Sequence, residues 1–350
     1  MRLHERLVGQ IRASGPLTIA DYVLACLHDP HDGYYATRPA LGAGGDFITA
    51  PLVSQIFGEL IGLWILETIG ILKLDGPVSL VEIGPGDGTL MADILRTLAI
   101  APAVRSSLTV TLVETSSVLT RVQQDRLADA GLSITWISDL RDLPDELPTL
   151  IVANELLDCL PARQFQKTTR GWAERRVGLD ADGRLTLGLA VAPGLTLDAP
   201  IGAVFEQSPA QAALGASLGR RIATQGGAAL LIDYGRDQPG FGDTLQALKG
   251  HEKVDPLADP GTADLTQHAD FPAVLAAASA EGAMTGPIRT QRDFLISLGI
   301  AARYAALCQS RPDQAQILTR QVERLIDPDQ MGTLFKAACI YQSGPAPPGF

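Results

Sequence analysis

Cysteine is scarce in this chain, and its placement excludes several chemistries at once. The four residues, Cys26, Cys159, Cys308 and Cys339, are scattered over 350 positions. No pair has the spacing of metal ligands or of a redox couple, so buried thiols in a reducing compartment are expected, and no metal site. Positive charge is also short: Lys and Arg number 28 against 39 Asp and Glu, a formal net charge of −11. That balance disfavours nucleic acid and anionic membranes as partners and is compatible with a basic protein substrate. No run approaches the ~18 consecutive apolar residues of a membrane-spanning helix. The start, Met1 to Arg6, lacks an apolar stretch and carries an acid, so neither a secretory signal nor a transit peptide is legible. Internal repeats and low-complexity tracts are missing too. What is abundant is apolar: 46% of residues are hydrophobic, enough for a large core and against global disorder.

The pattern along the chain predicts one α/β domain over 1–350. Residues 1–75 read as a helical lead-in, with Thr18 and Asp21 as a capping box and Pro51 opening a helix to about Ile69. The core over 76–235 alternates strands (78–83, 108–114, 133–137, 149–153, 228–235) with helices, which means a parallel sheet with crossovers. Residues 163–191 switch to a polar–apolar alternation turning at Asp180–Gly183, a β-hairpin insertion. A loop-rich stretch over 236–268, several helices up to 334 and a closing strand at 335–343 complete the reading.

The most informative segment is Val78 to Leu90, an apolar strand ending in Gly84-Pro85-Gly86-Asp87-Gly88 before a helical pattern. Glycine lets the backbone approach a ligand closely, and the helix behind it presents free N–H groups. The spacing is Gly-x-Gly-x-Gly, and Glu82 precedes it. A carboxylate there repels a pyrophosphate and suits a cofactor with an amino group, such as S-adenosylmethionine. A second strand ends in Glu114, an acid placed to accept hydrogen bonds from two ribose hydroxyls. Asp139, after the third strand, is a candidate for an adenine amino group; the alternative is a helix cap.

Asn154-Glu155-Leu156-Leu157-Asp158 follows the fourth strand. Methyl transfer is an in-line displacement, so alignment supplies most of the rate, and carboxylates suit a cationic acceptor such as a guanidinium. Glu155, Asp158 and Asn154 are therefore catalytic candidates, against a plain role in helix capping. Asp46, in a glycine-rich stretch, either closes over the cofactor or caps the next helix. Asp233 and Tyr234 stand at the tip of the fifth strand, and Cys159, His251 and His268 read as structural.

Several pieces resemble the MidA-like methyltransferases, which include a mitochondrial complex I assembly factor that methylates an arginine. They are Leu27-His28-Asp29-Pro30 with Gly33-Tyr34-Tyr35; Gly45-Asp46-Phe47-Ile48-Thr49-Ala50-Pro51; the Glu82–Gly88 turn; Ala153-Asn154-Glu155 with Asp158; Asp233-Tyr234-Gly235; Gly261 to Thr266; and Met331-Gly332 with Leu334-Phe335-Lys336. The resemblance implies a class I, Rossmann-like methyltransferase fold, S-adenosylmethionine as donor and a protein arginine as acceptor, on a complex I core subunit for the mitochondrial member. Carried onto this chain, Gly84, Gly86, Gly88 and Glu114 face the cofactor, while Asp46, Asn154, Glu155 and Asp158 line the reaction pocket. It also implies a cytoplasmic bacterial relative. Residues 245–251 depart from it, being less aromatic. Two other functions fit the same turn: a cofactor-holding assembly chaperone with little turnover, and a nicotinamide-dependent oxidoreductase.

Overall fold

The computed structural model describes residues 2–37 and 49–350. Asp46, with the Gly45–Ile48 part of its motif, lies outside them. The lead-in comprises α1 (Leu3–Ser14), a two-residue strand β1 (Leu17–Thr18), α2 (Ile19–His28), α3 (Tyr34–Thr37), α4 (Ala50–Val53) and α5 (Gln55–Ile71). Thr18 accepts the Asp21 N–H and Asp21 answers the Thr18 N–H, so the expected capping box is present. The helix expected over Pro51–Ile69 is interrupted. Ser54 is extended (φ −158°, ψ 136°) and its hydroxyl accepts the Ile56 N–H, so α4 stops and α5 starts afresh. A serine side chain competes with the helical ladder, and here it wins.

The central elements are β2 (Val78–Ile83), α6 (Thr89–Leu98), α7 (Pro102–Ser107), β3 (Leu108–Val113), α8 (Ser117–Leu127), β4 (Ile134–Ile137) and β5 (Thr149–Asn154). After an insertion come α9 (Pro209–Gln225) and β10 (Gly227–Arg236), and the chain closes with β17 (Phe335–Tyr341). The five strands β4-β3-β2-β5-β10 are parallel in that order, and β17 runs antiparallel beside β10. The chain winds outward from β2 to β4, then returns to β5 on the other side. The order therefore reverses between β2 and β5, and the crevice beyond their C-terminal ends is where such a sheet binds ligands.

Alternation along these strands fills two cores. Val78, Leu80, Leu150, Val152, Leu230 and Ile232 pack on one face with α5 and α6. Val81, Ile83, Ile151, Ala153, Ala229 and Leu231 pack on the other with α9 and residues 271–278. A sheet covered on both faces needs strands that are apolar throughout, and all six residues of β2 are buried.

The insertion is larger than the hairpin expected at 163–191. It holds β6 (Arg163–Thr168), β7 (Gly171–Leu179), β8 (Leu185–Val191) and β9 (Val204–Gln207), and β1 from the lead-in pairs with β7. These five strands form one sheet. The stretch expected to be loop-rich also carries strands: β11 (Gln246–Lys249), β12 (Glu252–Val254) and β13 (Asp264–Thr266) form a small sheet. Local pattern missed the full extent of the first because β1 and β9 join it from distant segments, and missed the second because its strands are only three or four residues long. Beyond it lie β14 (Ala269–Asp270), α10 (Phe271–Ala280), β15 (Met284–Thr285), β16 (Arg289–Thr290), α11 (Gln291–Ser297), α12 (Ile300–Ser310) and α13 (Ala315–Ile326). No helix among the described residues is long and apolar enough to cross a membrane.

Candidate active site

The tips of β2, β3 and β5 open on one cleft of about 1030 Å³, a figure that includes space open to solvent. Gly84, Gly86 and Gly88 all have left-handed φ values (67°, 57° and 84°), which only glycine adopts freely. A Cβ at Gly84 would meet the Leu156 Cδ1 atom at 3.1 Å. Gly84, Pro85 and Gly86 line the cleft, while Gly88 sits behind them as the N-cap of α6, its N–H donating to the Pro85 carbonyl.

Glu82 lines the cleft and is 2% exposed. Burial, with Asp87 adding like charge, lifts its carboxyl to about 8. Its Oε2 is buried without a hydrogen-bond partner. A buried acceptor left open is costly, and a donor arriving in the cleft relieves it. Glu114 is more settled: Oε1 accepts the Ser116 N–H at 2.7 Å and Oε2 accepts the Gln123 amide at 3.0 Å. Gln123 also donates to the Gly86 carbonyl and accepts from the Trp136 indole, so the glycine turn and Glu114 are held by one side chain.

At the β5 end, Glu155 has φ 55°, a left-handed conformation unusual for a residue with a side chain. Its Oε1 accepts the Ala50 N–H at 3.1 Å and the Asn154 amide at 3.0 Å. Burial and the neighbouring Asp158 push its carboxyl to about 7. The Asn154 Oδ1 is a second buried acceptor without a partner. Asp158, 6% exposed, takes the Tyr234 hydroxyl on Oδ2 at 2.5 Å and the Cys159 thiol on Oδ1 at 3.2 Å. Burial raises the Asp158 carboxyl while those two donors oppose it.

Asp139 does not join the cleft. Its carboxylate caps the short turn that follows β4 and grips the Arg141 guanidinium on both oxygens, so the local partner takes it. The structure brings in residues that sequence reasoning gave no role. His28, Tyr35 and Asp264 line the same cleft, and the Tyr35 hydroxyl donates to Asp264 at 3.0 Å. Their only signal was membership of the quoted motifs. His251 and His268 are not among the lining residues. The four cysteines are free, and no metal-binding cluster occurs among the described residues.

A glycine turn at the switch point, an acid on the second strand and open acceptors toward the sheet centre match a methyl-donor nucleoside. A family profile described as "putative S-adenosyl-L-methionine-dependent methyltransferase" matches residues 60–288. The chain belongs to this methyltransferase family. Mitochondrial protein arginine methyltransferase NDUFAF7 of Mus musculus is 36% identical over 362 residues, 94% of this chain and 82% of that protein. The human protein of that name is 35% identical over 94% of this chain and 81% of its own length. A solved superfamily member from Burkholderia thailandensis bound to S-adenosyl-homocysteine superposes with a TM-score of 0.86 at 27% identity, covering 99% of this chain and 93% of that one. The fold expected from the sequence, the enzyme class and the donor S-adenosylmethionine are all borne out. The nicotinamide alternative falls away.

Proposed function

We propose that this methyltransferase acts on a protein arginine, and that its acceptor is a core subunit of respiratory complex I. What carries the reading is the turn after β5, which presents the Glu155 carboxylate in a constrained backbone beside Asp158. Neither Lys nor Arg is among the described residues lining the cleft. Two carboxylates with no Lys or Arg beside them in the cleft lining suit a delocalised cation with several N–H donors, although Arg324 acts on Glu155 from outside that lining. The relatives that bear the name protein arginine methyltransferase support the same acceptor.

S-adenosylmethionine, when bound, supplies a methyl group on a positively charged sulfur. On this reading Gly84, Pro85 and Gly86 admit it to the cleft, Glu114 takes its ribose hydroxyls, and Glu82 takes its amino group. Glu155, Asn154 and Asp158 hold the acceptor guanidinium. Their carboxylates fix its plane and keep electron density on the nitrogen that attacks. Proton loss follows to a carboxylate or to water in the open part of the cleft. The buried walls exclude water around Glu82 and Asp158, which strengthens each of these contacts. Incubation with labelled donor and the purified subunit should place label on one arginine. Label that persists after that arginine is changed to lysine would count against the acceptor residue.

A further inference from the structure

Three consecutive residues of β10 hold the turn that carries Glu155 and Asp158, yet none of them lines the cleft. The Ile232 carbonyl accepts the Glu155 N–H at 2.8 Å. Asp233, fully buried, accepts the Leu157 N–H at 2.7 Å and the Asp158 N–H at 3.2 Å on one oxygen. Its other oxygen accepts the Tyr234 N–H at 2.8 Å. The Tyr234 hydroxyl then donates to Asp158 at 2.5 Å, the length of a strong bond to an ionised acceptor. The constrained φ of Glu155 is thus fixed from the neighbouring strand.

We infer that Tyr234 is a positioning residue for methyl transfer, its hydroxyl keeping Asp158 ionised and aimed into the cleft. The identity of the cation that Asp158 meets rests on the arginine reading above; the role of Tyr234 does not. The groups around Asp158 are nearly all acidic or neutral. Glu155 and Cys159 face it from its own turn, Asp233 and Tyr234 from β10, and Tyr35 from α3, with Asp264 on β13 beyond Tyr35. Burial favours a proton on Asp158, and the phenol is the foremost donor opposing it. The phenol keeps its own proton, because burial and Asp158 raise Tyr234 well above its ordinary value. Without that hydroxyl, the Cys159 thiol at 3.2 Å is the side-chain donor that remains to Asp158 among the described residues.

Tyr234→Phe tests this while keeping the ring against His268 and Phe335. Carbon-13 NMR of carboxyl-labelled aspartate, with Asp158→Asn identifying the resonance, reads the ionisation midpoint directly. The midpoint should rise by about one pH unit. The low-pH limb of kcat/KM for methylation of the complex I subunit should move with it, and rates should converge above the limb. Binding of S-adenosyl-homocysteine should be unchanged. If Tyr234→Phe does not fold, 3-fluorotyrosine incorporated at 234, a better donor, should move the midpoint down. An unmoved midpoint overturns the inference, and so does a moved midpoint with an unmoved rate limb. Failure of the wild type to methylate the subunit counts against the acceptor reading instead, and the midpoint alone then decides the role of Tyr234.

Discussion

Exchanging Glu155 for glutamine removes one charge from the cleft and almost no volume. The amide oxygen can accept the bonds from the Ala50 N–H and the Asn154 amide that Oε1 accepts now. Stability should therefore not fall. The folded value of about 7 lies above the ordinary 4.5, so the contribution of Glu155 to stability is full below 4.5 and is lost as pH rises through 7. That loss is on the order of 2 kcal/mol once cleft water is allowed for. Glu155→Gln lacks it, so its Tm relative to wild type should climb as pH is raised from about 5 to about 8. Catalysis should move the other way. A hydrogen bond to a charged group contributes about 1.5–3 kcal/mol, so kcat/KM should drop roughly 10- to 150-fold. Initial rates with labelled donor measure this, and calorimetric titration with S-adenosyl-homocysteine checks that cofactor affinity is retained. Wild-type rates from a variant that binds the cofactor equally well would refute the reasoning.

Glu82, held at about 8 in the free protein, should lose its proton when an ammonium group arrives. Cofactor binding at neutral pH should then release protons, and affinity should increase as pH rises toward the Glu82 value. Titrations in buffers of different ionisation enthalpy read that release, which Glu82→Gln should abolish. Glu114→Ala should weaken S-adenosyl-homocysteine by roughly 10-fold or more, as expected for lost hydrogen bonds to two ribose hydroxyls. Asp139→Asn should leave that affinity unchanged, because the carboxylate is occupied by Arg141; a marked loss would return Asp139 to the adenine site.

The parts of this site that were legible in the sequence are those carried by single strands. β2 announces itself as an unbroken apolar run, and its glycine turn, Glu82, Glu114 and the Asn154–Asp158 turn all follow from where strands end. Asp139 was ambiguous for a local reason: an aspartate two residues before an arginine serves as cap and ion-pair partner, and sequence shows no competition between that and a ligand. Tyr35 and Asp264 meet across 229 residues, through the packing of α3 against a small sheet that pairs β11 with β13. No local periodicity encodes such a meeting. The break at Ser54 turned on one hydroxyl competing for one N–H, and the insertion sheet grew beyond a hairpin because β1 and β9 join it from far away.

Tandem mass spectrometry of the complex I subunit after incubation with methyl-deuterated S-adenosylmethionine is the most direct measurement. Deuterated methyl on an arginine guanidinium nitrogen, strongly reduced with Glu155→Gln, is the expected result. Label confined to lysine or carboxylate side chains, or arginine label undiminished in Glu155→Gln, would contradict it.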